Sequence, residues 1–239
     1  MPINFTQTSV FAIIFSGAYI AVSIGLFLIS VNPELHNFDV IRNYLSNYQW
    51  VLISFFLGVS YFFGIAIRSL PTSLTENITF NAKERFPYNS ILKKTIMELP
   101  GSKDILDSLD INLDNFEITD EKFKYMKSFI CSRNISLFSY TQSFENKVRF
   151  WVGLYWSSFF SLCINVLTII FSDLSLKLPV SLLLFSVVVF CLANFRFQPV
   201  RIGEAVVTTV SYGVVVNEPD VPEFTIKEKN NDAIIIDTN

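Results

Sequence analysis

Four stretches without one Asp, Glu, Lys, Arg or His, each close to the length of a bilayer-crossing helix, govern what this chain can fold into. A hydrocarbon core of roughly 30 Å takes about 20 apolar residues in helical form. Inside lipid a backbone must also satisfy its own N–H and C=O groups, which a helix does within one segment. The runs cover about residues 10–31, 50–67, 150–171 and 178–195. Between and after them lie the charges, which make up only 16% of the 239 residues. A soluble domain carries about 25%.

These runs predict an all-α integral membrane protein: four transmembrane helices, with a helical cytoplasmic insertion between the second and third. Residues 1–70 hold the first two spans, 71–149 the insertion, 150–198 the last two spans, and 199–239 a cytoplasmic C-terminal segment with an acidic tail. The first run reads as a retained helix. Met1 to Ser9 contains no Lys or Arg, the apolar stretch exceeds that of a signal peptide, and Val31-Asn32-Pro33 is a poor cleavage site.

Each remaining span has a recognisable edge. The second closes at Arg68 and Leu70-Pro71, with Tyr48 and Trp50 suited to the interfacial aromatic belt at its start. Arg149 opens the third, with Trp151, Tyr155 and Trp156 close behind; Arg196 and Arg201 follow the fourth. About six residues separate the last two spans, which predicts an antiparallel hairpin.

Orientation follows from the cations. Four spans place both termini on the side of the insertion, and that side holds 16 of the 18 Lys and Arg; the short loops opposite hold Arg42 and Lys177. The positive-inside rule puts the insertion and both termini in the cytoplasm, with Arg68, Arg149, Arg196 and Arg201 as anchors at the inner interface. The expected location is the cell's inner (plasma) membrane. Under this topology the glycosylation patterns at Asn77-Ile78-Thr79 and Asn134-Ile135-Ser136 are chance matches.

Helices in lipid associate where small residues let backbones approach and where polar side chains pair. Gly17, Ala21 and Gly25 recur every fourth residue in the first span. Gly58 and Gly64 lie on different faces of the second. Gly153, Ser157, Ser161 and Asn165 descend one side of the third. All are read as helix-packing or pore-facing positions. Asn165 is the one amide or ionisable group well inside a run. Intramembrane ionisable groups normally mark proton relays, ion paths and substrate sites. Their absence from the four runs weighs against a coupled transporter or an intramembrane protease of the paired-carboxylate or metal type.

The insertion alternates in charge. From Lys83 to Lys94 the net is +3, four cations less one acid, and from Glu98 to Glu121 it is −7, one cation less eight acids. Apolar spacing predicts helices over 90–99, from Gly101-Ser102, and from Thr119, where Asp120 and Glu121 sit in the first turn. A further helix begins at Asn134 or Ser136, carries a Glu145–Arg149 pair, and runs without a breaker into the third span. So short a block rarely has a core stable by itself, so it is expected to pack on membrane-proximal helix ends or on a second copy. The spacing of Asp104, Asp107, Asp110 and Asp114 suits a solvated helix face.

Arg201 and Glu204 have the spacing of an i,i+3 pair, and Ala205 to Val216 carries six valines, open to either helix or strand. Residues 217–239 read as a solvating tail, with Ile234-Ile235-Ile236 a short apolar island that could add a strand to a partner. Cys131, Cys163 and Cys191 show no metal-ligand spacing and are expected to be inert buried thiols. His36, the single histidine, falls in an outer loop. No Gly-rich phosphate loop, Ser/His or Cys/His arrangement, metal site or cofactor is indicated, and a net charge of −3 gives no case for nucleic acid.

The expected function is therefore that of a non-catalytic membrane component: an anchor, sensor or signalling subunit. Its expected partners are membrane lipid, further copies of itself and a cytoplasmic protein. A bacterial stress or phage-defence module is one setting for it. The alternative is an oligomeric pore or channel-type effector lined by Ser157, Ser161 and Asn165; a transporter or membrane enzyme ranks third.

Overall fold

The structure, a computed structural model, describes residues 5–32, 38–79, 89–171 and 177–217. His36, the basic stretch at 83–85 and the acidic tail with its isoleucine island lie outside them. All regular structure among the described residues is helical: α1 Phe5–Val31, α2 Phe38–Arg68, α3 Thr72–Thr79, α4 Asn89–Glu98, α5 Ser102–Ser108, α6 Asp120–Arg133, α7 Ile135–Phe171 and α8 Lys177–Asn217. Four of these (α1, α2, α7 and α8) are long and apolar enough to cross a membrane. The chain divides into two compact units. Of the described residues, those up to 79 and those from 142 to 205 fall in the first, and those from 89 to 141 and from 206 to 217 in the second.

In the first unit, α1 packs against α2 by backbone contact. A Cβ on Gly17 would overlap the Ser60 carbonyl, and one on Gly64 would overlap the Ile13 carbonyl. Pairing 13 with 64 and 17 with 60 makes the two helices antiparallel. α2 departs from helical dihedrals at Tyr48 (φ −124°, ψ 21°), just before the apolar run begins. Most of its side chains face outward, Trp50, Phe55 and Phe62 among them, as lipid-facing groups do. α7 and α8 form the predicted hairpin: Val148 and Val152 pack with Phe197, and Leu154 and Tyr155 with Ala193.

Pro199 lies inside α8. It has no N–H to give, so the helix continues with one hydrogen bond missing. Beyond it, residues 205–216 are helical, which settles the choice between helix and strand. Ala205, Thr208, Thr209, Tyr212 and Val215 are all buried, a stripe at helical spacing. Burial along that stripe outweighs the modest cost of β-branched residues in a helix.

The second unit has its own core. Leu92 and Ile96 of α4, Ile105 of α5, and Met126 and Ile130 of α6 are nearly or fully inaccessible. Tyr212, near the end of α8, joins them. Its ring stands edge-on to Phe129 with centroids 5.4 Å apart, and its hydroxyl donates to Ser108 Oγ at 3.0 Å. The core of this unit thus includes a residue from α8. Thr119 caps α6 by accepting from the Lys122 N–H at 3.3 Å. Asn134 ends α6 and opens α7, its side chain accepting from the Leu137 N–H at 3.1 Å. Gly101 takes a left-handed φ of 64°, which turns the chain from α4 into α5. Asp104, Asp107, Asp110 and Asp114 are exposed.

The cysteines differ from expectation. Cys131, Cys163 and Cys191 are all free and all exposed. Cys163 and Cys191 sit on outward faces of α7 and α8, where apolarity matches them to lipid rather than to a protein core.

Candidate functional site

The first unit contains two clusters of polar side chains, one neutral and one ionic. The neutral cluster starts from the small and polar positions of α7. Gly153 lies 3.6 Å (measured from where a Cβ would stand) from Ser16 of α1, ordinary contact distance. Ser157 is fully buried and donates to its own helix at the Leu154 carbonyl, at 3.1 Å. Ser161 reaches across to the Tyr19 carbonyl of α1 at 3.3 Å. Asn165 Nδ2 donates to Ser186 Oγ of α8 at 3.2 Å, and the Tyr19 hydroxyl donates to the same oxygen at 2.8 Å. Ser186 in turn donates to the Leu182 carbonyl at 2.8 Å.

Three helices therefore meet at one serine oxygen. Sequence reading found Ser161 and Asn165 but missed Tyr19 and Ser186. Tyr19 looks like an ordinary aromatic in an apolar run; only its position next to Ser186 shows that its hydroxyl is needed. Asn165 Oδ1 is buried and has no hydrogen-bond partner in this arrangement. Of the small residues in α1, Gly17 is pressed against α2, Ala21 is buried, and Gly25 faces open space. In α2, Gly64 meets α1 while Gly58 faces open space.

The ionic cluster lies beside the end of the fourth apolar run. Arg201 is 8% exposed and is held between two carboxylates: Nε donates to Glu76 of α3 and Nη1 to Glu204 of its own helix. The i,i+3 pair expected from sequence is present. Arg201 is buried rather than exposed, and desolvating a guanidinium requires carboxylates around it. Arg196, by contrast, is exposed. Arg149 pairs with Glu145 through Nε and Nη2, at 2.9 and 2.8 Å, and Arg68 donates to Asn146 Oδ1 at 3.1 Å.

Glu76 escapes sequence reading because the chain from Pro71 onward has the composition of a water-facing block. α3 turns Thr75, Glu76 and Thr79 inward, while its two large apolar residues face outward. Thr75 accepts from the Trp156 indole at 3.0 Å, and the Thr79 carbonyl accepts from Gln198 at 2.9 Å. Leu74 and Ile78 are exposed. That inverted amphipathicity was the available signal: Leu74 and Ile78 are four apart, and Thr75, Glu76 and Thr79 share the other side.

Chemically, both clusters bind helices to one another. The carboxylates of Glu76 and Glu204 are engaged by a cation of fixed charge, and the hydroxyls of Tyr19 and Ser186 are engaged by each other. Among the described residues no three His, Cys, Asp or Glu side chains stand close enough to share a metal ion. No known protein family matches this chain, and no curated protein or solved structure is significantly similar to it.

Proposed function

We propose that this chain is a non-catalytic membrane subunit that anchors or signals for a partner protein, which docks on its second, helical unit. The single observation behind this reading is the contrast inside that unit. Its core is complete down to Ile96, Ile105, Met126 and Ile130, at 0% exposure, yet large apolar groups remain outside it: Ile135 at 75%, Tyr140 at 54% and Met97 at 51%. We take these groups to form one recognition patch, since contiguous exposed apolar surface suits protein recognition. The distribution of Lys and Arg supports placing the unit and both termini on the cytoplasmic side of the inner membrane. A bacterial stress or phage-defence module remains a setting that suits this architecture.

The pore alternative is less well supported. Ser157, Ser161 and Asn165 are at most 1% exposed, and Tyr19 and Ser186 of the same chain occupy the space in front of them. A polar path there requires α1 to separate from α7.

The test is photocrosslinking in cells from Ile135, Tyr140 and Met97, with Lys103 as a charged control position. A partner subunit predicts one discrete protein adduct from the apolar positions and none from Lys103. Adducts to lipid alone, or equal labelling from all four positions, would refute the reading. Chemical crosslinking with subunit counting in detergent then reports whether several copies assemble.

A further inference from the structure

Arg68 and Arg149 line one small cleft in the first unit. Its walls are Ala12 and Ile13 of α1 and Phe150 of α7, and it has about 10 Å³ of space, enough for an atom the size of a water oxygen. Arg68 is the last residue of the second span, and Arg149 immediately precedes the third apolar run. Both guanidiniums therefore flank an apolar run, at the level where lipid headgroups lie.

Each arginine is held by a neighbour. Asn146 fixes Arg68, and Glu145 fixes Arg149 through two N–H donors on one oxygen. Both cations line the same cleft, and Glu145 is the carboxylate bonded to Arg149. The cleft thus brings two guanidiniums together beside an apolar wall.

We infer that this cleft binds the phosphate of an anionic phospholipid, one non-bridging oxygen entering between Arg68 and Arg149. Guanidinium N–H groups match phosphate oxygens in geometry and charge. Ala12, Ile13 and Phe150 offer contact to the glycerol and upper acyl carbons, which a free phosphate ion lacks. A zwitterionic lipid brings a quaternary ammonium that the same two cations repel. The site thus selects by net charge and is built for a ligand with an apolar portion.

The test uses the full chain, purified in detergent and stripped of lipid, with phosphatidylglycerol or phosphatidylcholine added and bound lipid counted by native mass spectrometry. Phosphatidylglycerol is expected to bind roughly tenfold more tightly than phosphatidylcholine, and Arg68→Gln or Arg149→Gln to weaken it about fivefold to tenfold, as expected for removing one cation near an anionic headgroup. Ala12→Leu fills the cleft without touching a charge and should also weaken binding, which guards against a misfolded arginine variant. Arg196→Gln, an exposed cation outside the cleft, should leave binding unchanged. Equal binding of the two lipids would overturn the site, as would equal losses from Arg196→Gln and Arg149→Gln. Displacement of phosphatidylglycerol by millimolar inorganic phosphate would assign the cleft to a free anion and overturn the lipid reading.

Discussion

Tyr19, Ser161, Asn165 and Ser186 meet within the apolar spans and carry no formal charge, whereas Glu76, Arg201 and Glu204 gather three charges just past the fourth apolar run. The neutral cluster ties three helices together and the ionic cluster two. They differ in what it costs to disturb them. Neutral hydrogen bonds between membrane helices contribute only about 0.6 kcal/mol on average, because the separated helices find other partners. A charge buried by protein has no comparable substitute once its partner is gone, and losing that partner costs about 3–5 kcal/mol. The molecule therefore keeps its strong polar clamp at the membrane end and its weak one within the spans.

The largest effect should follow Arg201→Met. It leaves Glu76 and Glu204 facing each other, 9% and 1% exposed, without their cation, and should destabilise the first unit by about 3–5 kcal/mol. Unfolding by a denaturing detergent, followed by helical circular dichroism, measures it. The triple variant Glu76→Gln, Arg201→Met, Glu204→Leu removes the charges together and should be less damaging than Arg201→Met alone. If Arg201→Met unfolds at the wild-type midpoint, the contrast between the clusters disappears.

Gly17 should rank next. Valine there drives a side chain into the Ser60 carbonyl and the Gly64 backbone, and forced separation of a packed pair typically costs about 1–3 kcal/mol. Gly25→Ala in the same helix meets nothing within 4 Å. It should be neutral, or stabilising by up to about 1 kcal/mol through helix propensity. The same unfolding assay tests both. Equal losses at the two glycines would show that α1 packs on a different face from the one described.

These glycines also mark how far a sequence can be read. Charge-free runs located all four spans, because an uncharged apolar run of bilayer length has little else to become. The caps at Thr119 and Asn134 and the Glu145–Arg149 pair were equally readable, since each depends on residues a few positions apart. Gly17 and Gly25 share one motif, yet one touches a helix and the other does not. The motif fixes a helix face only to within the slow drift of a four-residue repeat. Glu76 and Arg201 are 125 positions apart, and no local pattern joins them. The stripe Ala205, Thr208, Thr209, Tyr212 and Val215 was present throughout, but β-branched composition drew attention from its period.

Asn165→Leu should have the smallest effect on stability. The substitution gives up one bond from Nδ2 to Ser186 at 3.2 Å and also removes Oδ1, a buried acceptor that has no partner. The two terms oppose each other, so the net change should lie within about 0.6 kcal/mol of zero. Because the fold survives, the same variant tests conduction cleanly. In liposomes loaded with potassium, a pore lined by Ser157, Ser161 and Asn165 predicts wild-type flux that leucine blocks. A membrane subunit of the kind proposed predicts no flux from either protein. Flux present in both would mean that ions cross by another route, and the cluster around Ser186 would remain a helix clamp and nothing more.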